Sequence, residues 1–108
     1  MTERIDVVLN NKEEHLSGVI SFDGHVIEIF GFQNKEPERI HIRQVNSVEL
    51  SFKSGMLSMP MLRILPHLGS WGLTQGFEPD ANERMELEKL AAAIEAAASK
   101  NPDWTGGR

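Results

Sequence analysis

The chain has 108 residues, 40% of them hydrophobic and 25% charged. That is enough to bury roughly two thirds of the unfolded surface in one domain without disulfides or metal. With no cysteine, disulfides, thiolate zinc sites, iron–sulfur clusters and thiol nucleophiles are excluded. A net charge of -5 and a pI near 5.3 oppose nucleic acid, whose binding rests on Lys and Arg neutralising phosphates. Anionic lipid would need a basic patch, and the sequence shows none.

The first residues, "MTERIDVVLNNKEEH", place Glu3, Arg4 and Asp6 where a signal peptide would have its apolar core. No stretch approaches a membrane span, so a cytoplasmic protein is expected. "RIDVVL" alternates as a first strand near residues 3 to 9, followed by the polar loop "NNKEEH". A second strand is expected at 16 to 22, "LSGVISF". Asp23-Gly24 then signals a two-residue hairpin, because both central positions of a type I′ turn need positive φ. The returning strand "HVIEIFGF" puts His25, Ile27 and Ile29 on one face and Val26, Glu28 and Phe30 on the other.

"QNKEPER" reads as an exposed loop, and "RIHIR" alternates strictly with Ile40 and Ile42 on one side. A link with Val45 as its apolar anchor leads to "SVELSFK", where Val48, Leu50 and Phe52 face inward and Glu49, Ser51 and Lys53 outward. "MLSMPMLRIL" is a less regular strand from about 56 to 65. Pro60 lacks an amide hydrogen, which predicts a sheet edge or a bulge there. "WGLTQGF" supplies a last strand near 71 to 77, for about seven in all.

The period then changes. "DANERMELEKLAAAIEAAASK" spaces Leu87, Leu90, Ile94 and Ala97 as one face of an amphipathic helix. Asp80 with Glu83 forms a capping-box pattern, and Asn101-Pro102 stops the helix. Residues 101 to 108 are expected to be a flexible tail after a single domain of residues 1 to 100.

Seven short antiparallel strands followed by one C-terminal helix resembles a pleckstrin-homology-like (PH-like) domain. The chain is similar to small bacterial members, some of which accompany a short C-terminal (SHOCT) segment. The resemblance rests on "GVISFDGHVIEI", "ERIHIRQVNSVEL", "GMLSM" and "GFEPDANERMELEKLAAAIEAA", most of residues 16 to 98. It implies an α+β, mostly β fold: a partly open barrel capped by the helix. It also implies a binding or assembly role, with no catalytic residues to carry over. Two features depart from the family. "NNKEEH" sets Glu13 and Glu14 beside a lone Lys12 where lipid-binding members have basic ligands, and no clear short extra helix precedes Arg108.

Candidate chemistry is sparse. Asp23, His25 and Glu28 fall within six positions, but Asp23 is explained by the turn. His25 and Glu28, an odd number of positions apart on a strand, should face opposite ways. His15, His25, His41 and His67 have no recognised ligand spacing, and no serine has a nucleophile-elbow context. No enzyme, metal or cofactor is expected. The run Met56, Leu57, Met59, Met61 and Leu62 could fill the barrel or form an adaptable surface, with Trp71 and Trp104 as amphipathic anchors. "LAAAIEAAA" suits close packing on the sheet or a helix–helix contact in a homodimer.

The expected function is therefore a non-catalytic adaptor that binds a protein. The resemblance implies a peptide groove between the fifth strand and the helix. The residues expected at the partner surface are Glu49, Ser51, Lys53, Met59, Met61, Trp71, Glu88, Ala91 and Glu95. The alternatives are a self-assembling homo-oligomeric domain and, opposed by the acidic charge, a membrane-surface lipid adaptor.

Overall fold

Period-two alternation puts successive apolar side chains on one face, and this chain uses that to build two antiparallel sheets. A computed structural model describes residues 4–11, 16–32, 36–52, 61–66, 71–73 and 79–106. In the first sheet, β1 (Ile5–Asn11), β2 (Leu16–Phe22), β3 (Val26–Phe30) and β4 (Glu38–His41) pair in sequence order. In the second, β5 (Val45–Ser51), β6 (Met61–Pro66) and β7 (Trp71–Leu73) do the same.

Register aligns the apolar residues into inward rows. Val7, Ile20 and Ile29 lie opposite one another, as do Phe22, Ile27 and Ile40. The second sheet contributes Val48, Ile64 and Trp71, then Leu50, Leu62 and Leu73. All of these are buried except Leu50, which packs half-buried against the rest.

Helix α1 (Ala81–Ala98) covers this core with Leu87, Leu90, Ala91, Ile94 and Ala98, packing on both β1 and β5. Burying Leu87, Leu90 and Ile94 contributes about 1.5–3 kcal/mol each. The capping box forms as its residues predict. Asp80 Oδ1 accepts the Glu83 amide at 2.8 Å, and Glu83 Oε1 accepts the Asp80 amide at 2.9 Å. The other oxygen of Glu83 accepts the amide of Asn10 at 2.9 Å, tying the helix start to β1.

Two expectations shift. The hairpin turns at Gly24-His25, with Gly24 at φ 100° and the Asp23 amide donating to Val26 O. Asp23 is the first residue of the turn because its carboxylate takes the amides of His25 and Val26, both at 2.8 Å. The strand expected over 39 to 43 ends at His41. Ile42–Gln44 is a 3₁₀ turn, capped by His41 Nδ1 accepting the Arg43 amide, with Ile42 N donating to His25 O at 2.8 Å. Residues 56–60, including Pro60, and the strand expected beyond Leu73 lie outside the described residues.

The two sheets also meet through Phe32, whose ring lies 6.0 Å from that of Trp71 at 57°. Gly31, at φ 90°, turns the chain so that Phe32 folds back over Gly18. A Cβ at Gly18 would sit 2.6 Å from the Phe32 ring. Gly18→Val should therefore displace Phe32 and lower the unfolding free energy by about 1–3 kcal/mol, the usual cost of overpacking. Urea denaturation checks this, and an unchanged midpoint would mean that Phe32 gives way without cost.

Candidate interaction surface

By strand order β5 is an edge of its sheet, with β6 on one side. Its other side faces α1, and contacts at the two ends of the helix fix how the two run. At the helix start the Arg84 guanidinium lies 5.4 Å from the centre of the Phe52 ring, just past the end of β5, while its Nε donates to Pro79 O at 3.1 Å. After the helix end, Asn101 Nδ2 donates to Ile42 O at 2.8 Å and to Val45 O at 3.0 Å, at the beginning of β5. The helix therefore runs antiparallel to β5. Glu88 and Glu95 continue the stripe begun by Arg84, four and eleven residues on, along the flank turned toward that strand.

The segment after α1 doubles back along the start of β5. Trp104 N donates to Asn101 O at 3.1 Å, and Thr105 N donates to Asn46 O at 2.8 Å. Thr105 Oγ1 also donates to Asn46 O, at 3.3 Å, and Asn46 Nδ2 donates to Asp103 O at 3.2 Å. Gly106 pairs in parallel with Ser47, and Trp104 packs half-buried against the core. The reason lies in β5 itself. Its register with β6 slips between Val45 and Ser47, so Asn46 is the extra residue of a bulge. Its carbonyl and side chain turn to the segment instead.

The residues expected at the partner surface divide by burial. Glu49 and Ser51 point to the outer face of the second sheet, where register sets them opposite Arg63 and Met61. Glu49 and Arg63 are 3.6 Å apart with side chains 35% and 41% exposed, a screened pair worth at most about 1 kcal/mol. Met61 is half-buried, Glu88 exposed and Glu95 half-buried. Trp71 and Ala91 correct the expectation. They are 6% and 0% exposed, because the inward row of β7 and the core stripe of α1 run through them, so neither offers surface to a partner. Lys53 and Met59 lie outside the described residues, as do Met56 and Leu57.

Sequence reasoning did not single out Asn46 or Asn101. In the sequence Asn46 falls in the link before "SVELSFK" and Asn101 stands with Pro102 at the helix stop. The available signal was Trp104, a large apolar side chain placed just where a loose tail was expected.

Asp23, His25 and Glu28 do not converge. His25 is exposed in the turn, whereas Glu28 lies across from Ser21 and Arg39 on the outer face of the first sheet. Among the described residues no group of three His, Asp or Glu is placed to hold a metal ion, and no helix is long and apolar enough to cross a membrane.

No family model matches the chain, and no curated protein matches it. Among solved structures it is similar to a chain in "Structure of the Spt16D Pob3N heterodimer", with a TM-score of 0.52 and 17% identity. The match covers 98% of this chain, which spans 60% of the length of that one. At that identity the likeness shows the fold: a PH-like arrangement of two antiparallel sheets, four strands and three, with one C-terminal helix.

Two exposed carboxylates make the fold sensitive to acid. The amides of Val26 and then His25 hold Asp23 below the ordinary carboxylate range, and hydrogen bonds from Arg4 and then Ser21 do the same for Asp6. A folded pKa below the unfolded one gives stability that is fully present above the unfolded value and is lost as pH falls through the folded value. The denaturation midpoint should thus hold steady above about pH 5 and fall below about pH 4. Asp23→Ala should lower the neutral-pH midpoint and flatten that acid limb, and an unchanged limb would remove Asp23 from the account.

Proposed function

We propose that this chain is a non-catalytic adaptor that captures a protein partner by taking an extended segment of it into the cleft between β5 and α1. The observation that carries the reading is the backbone pairing of Thr105 and Gly106 with Asn46 and Ser47, an isolated bridge on the side of β5 away from β6. Strand addition of this kind draws affinity from main-chain hydrogen bonds and specificity from pockets for side chains. Glu49 and Ser51 on β5, Glu88 and Glu95 on the helix flank, and Lys53 beyond Phe52 would then border the incoming segment. Met61, opposite Ser51 on β6, and Met59 belong to the same proposed partner surface. The structurally similar chain comes from a structure titled as a heterodimer, which supports a protein as the partner. A bacterial origin and a cytoplasmic location belong to the same reading, and the net charge of -5 weighs against an anionic lipid surface.

Self-association is a second reading, favoured by one feature. On the outer face of the first sheet Val8, Val19 and Phe30 stand opposite one another across three strands. Val8 is 61% exposed and Phe30 42%, an apolar row suited to a second copy.

Affinity capture from a lysate of the source organism, with wild type and Lys53→Glu in parallel, tests the first reading. The variant should fold normally by circular dichroism and lose a protein that wild type retains. Equal capture by both would count against the cleft. Capture of further copies alone, with a mass that rises with concentration by light scattering, would favour self-association.

A further inference from the structure

The free side of β5 already pairs with an extended segment, and that segment belongs to the chain itself. We propose that residues 104–106 are a tethered ligand that gates the β5 edge: a partner segment adds there only when Trp104 has left its seat. This rests on the reading of β5 as a strand-addition site and adds what regulates it and what it recognises.

Three features make the resident segment a displaceable one. Its pairing is parallel and short, confined among the described residues to Thr105 and Gly106, and parallel pairing is slightly weaker per residue than antiparallel. Gly106 has φ 133°, a conformation that an L residue rarely adopts, so the segment's backbone there depends on glycine. The seat is also imperfectly filled. Asn46 Nδ2 donates to Asp103 O, which fixes the amide's orientation, and leaves Asn46 Oδ1 buried without a hydrogen-bond partner among the described residues. An acceptor left in that state carries a desolvation cost that a segment with a donor at this point would remove.

Two features make it an effective gate while it is seated. Trp104 is anchored against the core, and Asn101, two residues before Asp103, is tied to Ile42 O and Val45 O. Tethering through so few residues gives an effective concentration on the order of millimolar. A free rival of equal intrinsic affinity, present at about micromolar concentration, is therefore held off by about a thousandfold. The segment that fits is extended, carries an aromatic residue for the Trp104 seat, and follows it with small residues like Thr105 and Gly106.

The probe is a synthetic peptide with the sequence of residues 101–106, NPDWTG, titrated into isotopically labelled full-length chain. Amide shifts of Val45 to Val48 are read by NMR in wild type, in Thr105→Pro, which removes the amide that donates to Asn46, and in Trp104→Ala, which removes the anchor. In the two variants the peptide should shift Asn46 and Ser47 saturably, at a half-saturation at least about tenfold below that of wild type. A peptide with alanine for tryptophan should not do so. Equal half-saturation in all three chains would overturn the gate while leaving β5 as a strand acceptor. No shift at millimolar peptide in either folded variant would overturn the proposed recognition. The lysate comparison of wild type with Lys53→Glu would then still decide the adaptor reading by itself.

Discussion

Two short sheets leave their apolar faces open along the line between β1 and β5, and the helix that covers this line has to be held at both ends. Glu83 holds one end. One of its oxygens closes the capping box on Asp80, and the other takes the amide of Asn10. Asn101 holds the other end by donating to the carbonyls of Ile42 and Val45. Between these clamps Leu87, Leu90, Ala91 and Ile94 fall on the core without any side chain having to reach. The clamps also set the helix antiparallel to β5, so the placement of the helix beside that strand follows from how the core is closed.

An exposed sheet edge is a liability, because its unpaired amides and carbonyls invite other chains. Here the edges are managed by different means. β1 is met by the helix and by Glu83, whereas β5 carries a bulge at Asn46 and an isolated bridge to Gly106 of the same chain. The bulge links protection of the edge to its proposed use in binding. It turns Asn46 away from β6, and the carbonyl thus released is the one that Thr105 uses. An edge covered by a segment that can be displaced, as proposed for residues 104–106, stays usable for binding, and one sealed by a full strand does not.

Much of the fold was legible because local chemistry and tertiary structure agree. β2 falls on the residues that alternation assigns to it, and α1 begins at the capping box that Asp80 and Glu83 announce. Two boundaries moved where a side chain outcompeted the pattern. The Asp23 carboxylate captured two amides and shifted the turn by one residue. The His41 ring capped a 3₁₀ turn in what alternation read as strand. The candidate surface was less legible. Charged residues such as Glu49 and Glu88 could be placed outward by period alone, but Trp71 and Ala91 could not be assigned. An aromatic at a rim and an alanine on a helix look the same in sequence whether they face a partner or the core. The Asn46 and Asn101 side chains donate to backbone carbonyls 56 to 59 residues distant in the chain, a relation that no local pattern encodes.

The most direct test of the account is native-state hydrogen exchange of two amides, Asn10 and Thr105, over a series of low denaturant concentrations. Asn10, clamped by Glu83, should exchange with the denaturant dependence of global unfolding, because its bond breaks only when the helix leaves the sheets. Thr105 should be protected, yet exchange by a local opening that denaturant barely affects. Exchange of Thr105 at the rate of an unstructured amide would contradict a seated segment. Exchange of Asn10 independent of denaturant would contradict the clamp on which the closure of the core depends.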